Sequence, residues 1–185
     1  MQKILIFTYE FPPKAGGIGR YLYNVAQALS EKKQFKVIII TPRDQKLACG
    51  NAVIYDILGH SKLIDFLRIA CICWKYSTGV ILWGHSRTFL FAYIFMLFGI
   101  GKYFKSLVPL HGSEVLRAKN RSFYQWYFYK MLSSCDKILT NSKYTQSITP
   151  PIFKKKTVVI YPRVHKGWFK QRGKKPKRQN KTIVL

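Results

Sequence analysis

Two short runs dictate what this chain can become: Lys-Ile-Leu-Ile-Phe-Thr at 3–8 and Lys-Val-Ile-Ile-Ile-Thr at 36–41 are apolar at nearly every interior position. A strand with one wet face alternates, whereas a strand apolar on both sides must be covered on both, as in a parallel sheet between helices. Between the runs, Ile18, Leu22, Val25, Ala26 and Leu29 recur at helical spacing, which makes a βαβ unit. The alternation continues. Strands are expected at 52–57, 79–83, 106–110, 137–140 and 157–161. Helices are expected at 62–76, 89–98 and 122–133, with a short one capped by Asn141 or Ser142 and ended by Pro150-Pro151. The 62–76 helix is apolar nearly all round, which predicts deep burial. Ser86 or Thr88 is placed to cap 89–98, and Gly99 with Gly101 to stop it. The expected fold class is α/β, a doubly wound, mainly parallel Rossmann-like sheet whose ligands lie beyond the strands' carboxyl ends.

The first strand leads into Tyr9-Glu10-Phe11-Pro12-Pro13-Lys14-Ala15-Gly16-Gly17-Ile18-Gly19-Arg20. Gly16, Gly17 and Gly19 open a helix, where backbone without Cβ can approach a ligand and unpaired amides favour an anion such as phosphate. Alternatively, the glycines only make a tight strand-to-helix turn. A dinucleotide fingerprint is disfavoured, because it follows its strand directly with Gly-x-Gly-x-x-Gly, whereas here a double proline intervenes and the order is Gly-Gly-x-Gly. Asp44 could serve as a ribose-binding acid, but Arg43 beside it makes that ambiguous. The second loop of interest, His111-Gly112-Ser113-Glu114, also follows a strand's carboxyl end, so the two loops can share one crevice.

A length of 185 residues suits one domain with no complete second one. Thirty-two Lys and Arg against seven acids give +25, a field that attracts anionic lipid, nucleic acid, nucleotides or acidic glycans. Cys49, Cys71, Cys73 and Cys135 have no metal spacing, and no metal or cofactor is implied; Cys71 and Cys73 are expected to pack in a buried helix, which fits a reducing compartment. Met1-Gln2-Lys3 runs straight into a strand, unlike a signal peptide. The apolar run 89–100 falls short of the roughly twenty residues that span a bilayer, although its aromatics with Lys102 and Lys105 allow surface contact with lipid. Residues 166–181 carry eight Lys or Arg and no acid, the composition of an exposed linker. Residues 182–185, Thr-Ile-Val-Leu, are read as the first strand of a further domain, or as a frayed tail. The expected division is therefore 1–165, 166–181 and 182–185.

Five motifs in order resemble the N-terminal domain of retaining GT-B glycosyltransferases of the family 4 type. They are the opening strand, Pro-Pro-x-x-Gly-Gly-Ile-Gly-Arg at 12–20, His-Gly-Ser-Glu at 111–114, Cys-Asp-Lys-Ile-Leu-Thr-Asn-Ser at 135–142 and Ile-Tyr-Pro at 160–162. The resemblance covers essentially the whole chain. It implies two Rossmann-like domains facing across a cleft, the first holding the acceptor and the second mainly a nucleotide-diphosphate sugar. By the same resemblance, Gly16, Gly17 and Gly19 approach the donor diphosphate and His111 meets the transferred sugar near its reacting carbon. Glu10 and Glu114 could bind acceptor hydroxyls, pair with Arg20 or Arg117, or simply be solvated. Tyr9, Arg20 and Asn141 either line the cleft or pack and cap; His85 is read as structural. The family's diphosphate-neutralising and donor-holding residues lie in the second domain and map to nothing here, so the chain alone is expected to be inactive.

The implied activity is hexosyl transfer to a glycan or glycolipid in cell-surface polysaccharide or lipopolysaccharide synthesis. The expected location is cytoplasmic, peripheral at the inner face of the plasma membrane, with Lys154, Lys155, Lys156, Lys174 and Lys175 against anionic lipid; a merely solvated basic surface is the alternative. The competing functional class is a basic non-enzymatic module for membrane or nucleic acid, supported by the aromatics of 123–129. No helix-turn-helix, zinc-finger or RNA-recognition signature accompanies them, so no specific nucleic acid partner is expected.

Overall fold

The computed structural model describes residues 1–14, 16–43, 47–76 and 79–162. The expected linker at 166–181, the strand at 182–185, Asp44, Lys174 and Lys175 lie outside the described residues.

The β-branched runs form strands paired in parallel throughout. Strand β1 (Gln2–Phe7) is followed by α1 (Gly17–Ser30), β2 (Phe35–Pro42), β3 (Val53–Leu58), α2 (Lys62–Lys75), β4 (Gly79–Trp83) and α3 (Phe89–Leu97). Then come β5 (Phe104–Leu110), α4 (Ser113–Asn120), α5 (Ser122–Ser134), β6 (Lys137–Thr140), α6 (Lys143–Ile148) and β7 (Thr157–Val159). The seven strands lie in the order β3-β2-β1-β4-β5-β6-β7, with β1 in register against β2 through Ile4↔Val37 and Ile6↔Ile39. This is a Rossmann-like α/β sheet, as the sequence predicts.

Alternation along each strand splits the core into two faces. Ile4, Ile6, Val37 and Ile39 point to one face and pack with Leu22 and Ala26 of α1. Leu5, Phe7, Ile38 and Ile40 point to the other, which holds Ile69 of α2, Phe95 of α3, Val115 of α4 and Phe128 of α5. Trp83 stacks on Phe7 at a centroid distance of 5.0 Å and its indole N–H donates to Ser106 Oγ at 3.0 Å, which satisfies the one polar atom this large core side chain buries.

Four expectations change. Helix α4 occupies a stretch read only as a loop; it buries just Val115, Ala118 and the unexpected Glu114, too thin an apolar stripe to show in the sequence. Helix α2 is not buried all round, since Leu63, Leu67 and Trp74 face solvent, and Cys71 is exposed while Cys73 is buried. Strand β7 is shorter than 157–161, ending at Val159. Neither Ser86 nor Thr88 caps α3 with a side-chain bond; the Thr88 hydroxyl donates to His85 O at 2.6 Å inside a 3-10 turn, Ser86–Thr88. Gly99, at φ 68, ends α3 as expected.

Candidate functional site

Strand order reverses at β1: β2 lies on one side of it and β4 on the other, so the connections after β1 and β4 part toward opposite faces and leave a crevice at their carboxyl ends. The loop after β1 is set by Thr8, buried, whose hydroxyl donates to Glu10 O at 2.7 Å and accepts from Glu10 N–H at 3.1 Å. That turn aims Glu10 across the crevice. Its Oε1 lies 3.4 Å from His85 Nε2, on the loop after β4. The other ring nitrogen of His85, Nδ1, accepts from Arg87 N–H at 3.1 Å and so caps the turn before α3. His85 is therefore structural, as read from sequence, and also part of the site.

The loop after β5 closes the group. Gly112 has φ 101, a conformation that side chains resist, and serves as N-cap to α4. The tight turn lets the buried Glu114 carboxylate fold back and accept from His111 N–H at 3.1 Å, which satisfies one Glu114 oxygen and fixes the histidine's backbone. The His111 ring lies edge-on to Tyr21 of α1 at 5.5 Å. Its Nε2 is buried and, among the described residues, has no hydrogen-bond partner. Burial pulls the pKa of both His111 and His85 below the ordinary histidine value, and Glu10 and Glu114 pull each the other way without prevailing. Burial thus favours the neutral form of both imidazoles, in which one ring nitrogen donates and the other accepts.

Beside this group, α1 begins without a side-chain cap and without an acid in its first turn. Its N-terminal amides border an open groove of about 650 Å³ lined by Pro12, Lys14, Gly16, Gly17, Arg20 and Asn24, among others. The three glycines differ in what their missing Cβ makes room for. At Gly17 a Cβ would meet nothing within 4 Å; at Gly16 it would come 2.8 Å from Glu10 Oε2; at Gly19 it would press on the Glu10 backbone at 3.0 Å. Gly19 is thus needed by the fold itself, and Gly17 is the position open to a guest.

Tyr9 points to the other side. Its hydroxyl donates to Asp65 Oδ2 at 2.9 Å, and Asp65, buried in the first turn of α2, also accepts from Gly59 N–H at 3.0 Å and His60 N–H at 3.2 Å. Burial first, then Asp65, raises the Tyr9 pKa. A second groove of about 610 Å³ lies there, lined by Tyr9, Lys14, His60, Asp65, Arg87 and Tyr127, among others. Asp65 was missed in the sequence; its only signal was an acid four residues after Ser61, the cap of α2. Asn141 Oδ1 accepts from the Thr145 hydroxyl at 2.8 Å, while Ser142 Oγ accepts from Thr145 N–H and caps α6. Thr145 sits against Gly112, which brings Asn141 near the His111 loop. Of the basic candidates, Lys154 and Lys155 are exposed. Lys156 is turned to the protein instead, donating to Ser133 O at 2.7 Å and Cys135 O at 3.1 Å. Among the aromatics of α5, Tyr124 and Phe128 are buried and serve the core.

The sequence profile of Glycosyltransferase Family 4 matches residues 15–165. The chain belongs to glycosyltransferase family 4. Solved structures with the same fold include HepE of Anabaena with UDP-glucose, with UDP and glucose, and with UDP. Each superposes with a TM-score of 0.61 over 89% of this chain at 14% identity. The family 4 chain spans less than half of HepE, 44% in the UDP-glucose complex. No curated protein matches its sequence. In family 4 terms, the chain is a glycosyltransferase-like module whose Rossmann-like sheet carries the Gly16–Gly17 and His111 loops at its carboxyl edge.

Proposed function

We propose that this chain is the acceptor-side half of a retaining hexosyltransferase that uses a nucleotide-diphosphate sugar and builds a cell-surface polysaccharide or lipopolysaccharide. One observation carries the reading: the buried Nε2 of His111, without a hydrogen-bond partner among the described residues, on a ring that meets Tyr21 of α1, the helix with the uncapped start. A neutral imidazole in that position hydrogen-bonds a hydroxyl of the sugar, while the amides at Gly17 receive the diphosphate. In the transfer, the bond between the sugar's anomeric carbon and the diphosphate breaks. An acceptor hydroxyl bonds that carbon with the same anomeric configuration, and its proton goes to the departing diphosphate oxygen. Glu10, Tyr9 and Asn141 line the acceptor side of the crevice, and Glu114 holds the His111 loop in place.

The donor's base and the charges that stabilise the leaving diphosphate come from a second domain, a reading supported by the 44% coverage of HepE. The protein works from the cytoplasm as a peripheral protein at the inner face of the plasma membrane, drawn to anionic lipid by its net charge of +25. An NMR titration of the two-domain enzyme with UDP-, GDP- and ADP-hexoses tests the site. Shifts at the Gly17 amide and the His111 ring are expected with one of them; no shift with any would refute it. In the two-domain enzyme, His111→Ala is expected to lower kcat on the order of a hundredfold, the loss typical of one well-placed transition-state hydrogen bond.

A further inference from the structure

Helix α2 presents to solvent the side that a water-facing helix keeps polar. Leu63, Ile64, Leu67, Cys71 and Trp74 recur three, four and seven residues apart on its outer face, while Asp65, Ile69, Ile72 and Tyr76 point to the core from the opposite side. The exposure is large: 87% for Trp74, 68% for Leu63 and 54% for Leu67. The stripe runs from Leu63 to Trp74, about 16 Å at 1.5 Å per residue. The helices of its layer, α2 to α5, contain only two acids, Asp65 and Glu114, and both are buried in hydrogen bonds to backbone amides. The exposed charged side chains of these helices among the described residues, Lys75, Arg117, Lys119 and Lys130, are therefore all basic. An apolar stripe within a layer of helices that expose no acid fits a negatively charged lipid interface.

We propose that the outer face of α2 is a membrane-inserting surface that seats the protein on anionic lipid, with Trp74, Leu67 and Leu63 in the headgroup and upper acyl region. This rests on the peripheral membrane location given above and names its surface, which is α2 and not Lys154 and Lys155. The helix lies in the plane of the bilayer and does not cross it, since no helix among the described residues is long and apolar enough to span.

Co-sedimentation of the 185-residue chain with phosphatidylglycerol–phosphatidylcholine vesicles, against vesicles of phosphatidylcholine alone, tests the proposal. The chain is expected to bind the anionic vesicles, and Leu67→Gln with Trp74→Gln to weaken binding at least tenfold without changing Tm, because neither side chain is in the core. Lys154→Ala with Lys155→Ala should weaken it less. The fluorescence of Trp74, taken as the difference between the chain and Trp74→Phe, should shift to the blue when vesicles are added. Undiminished vesicle affinity of the Leu67–Trp74 variant, or an unshifted Trp74, overturns the proposal. So does a lipid-independent dimer that the same variant dissociates, since the face would then belong to a second copy. None of these readings needs a sugar donor, so vesicle binding by the chain together with a two-domain enzyme that binds no nucleotide-sugar refutes the transferase reading alone.

Discussion

At the scale of single residues, the site is governed by burial acting on His85 and His111 against the opposing pull of Glu10 and Glu114. Because the folded-state pKa of each histidine is depressed, the unfolded chain takes up protons first as pH falls. Stability is therefore full above the unfolded histidine value of about 6.5 and is lost below it. Thermal melts between pH 7.5 and 5 should show Tm falling, and His85→Gln with His111→Gln should flatten the slope. Tyr9 gives a second prediction. Tyr9→Phe removes one of three hydrogen bonds to the buried Asp65 and should cost about 1–3 kcal/mol in urea unfolding.

At the scale of elements, the glycines separate fold from function. Gly19→Ala drives a Cβ into the Glu10 backbone and should destabilise by about 1–3 kcal/mol. Gly17→Ala finds open space, so Tm should hold while nucleotide-diphosphate binding, measured by calorimetry, weakens. The strands were legible because Ile4 to Phe7 and Val37 to Ile40 are apolar on both faces, a pattern with one structural solution. The position of the His111 loop at a strand end was legible for the same reason. Helix α4 was not, because it is held by Gly112 and by Glu114 hydrogen-bonding backward, neither of which leaves an apolar periodicity. The exposed stripe of α2 was misread for the opposite reason. Hydrophobic periodicity reports which positions are apolar, and the sequence does not say which of them the other described residues leave exposed. Asp65 was invisible because its partners Tyr9, Gly59 and His60 meet it only through the β1–β3–α2 arrangement.

At the scale of the whole molecule, one sheet supports two separate surfaces: the crevice at the carboxyl ends of β1, β4 and β5, and the outer helical layer on the face opposite α1. The transferase reading makes the chain dependent on charges from elsewhere to stabilise the leaving diphosphate. Hexose transfer by the 185-residue chain alone should be undetectable beside that of a two-domain family 4 enzyme; comparable turnover would refute the division of labour. The two surfaces are not mechanically independent. Asp65 belongs to α2, yet it grips Tyr9 at the mouth of the crevice and the turn at Gly59 and His60 in one clasp. The outer helix and the loop beside Glu10 are thus fastened by a rivet a single side chain wide, so if α2 is the lipid seat proposed above, the same residue sets the angle between that seat and the proposed acceptor crevice.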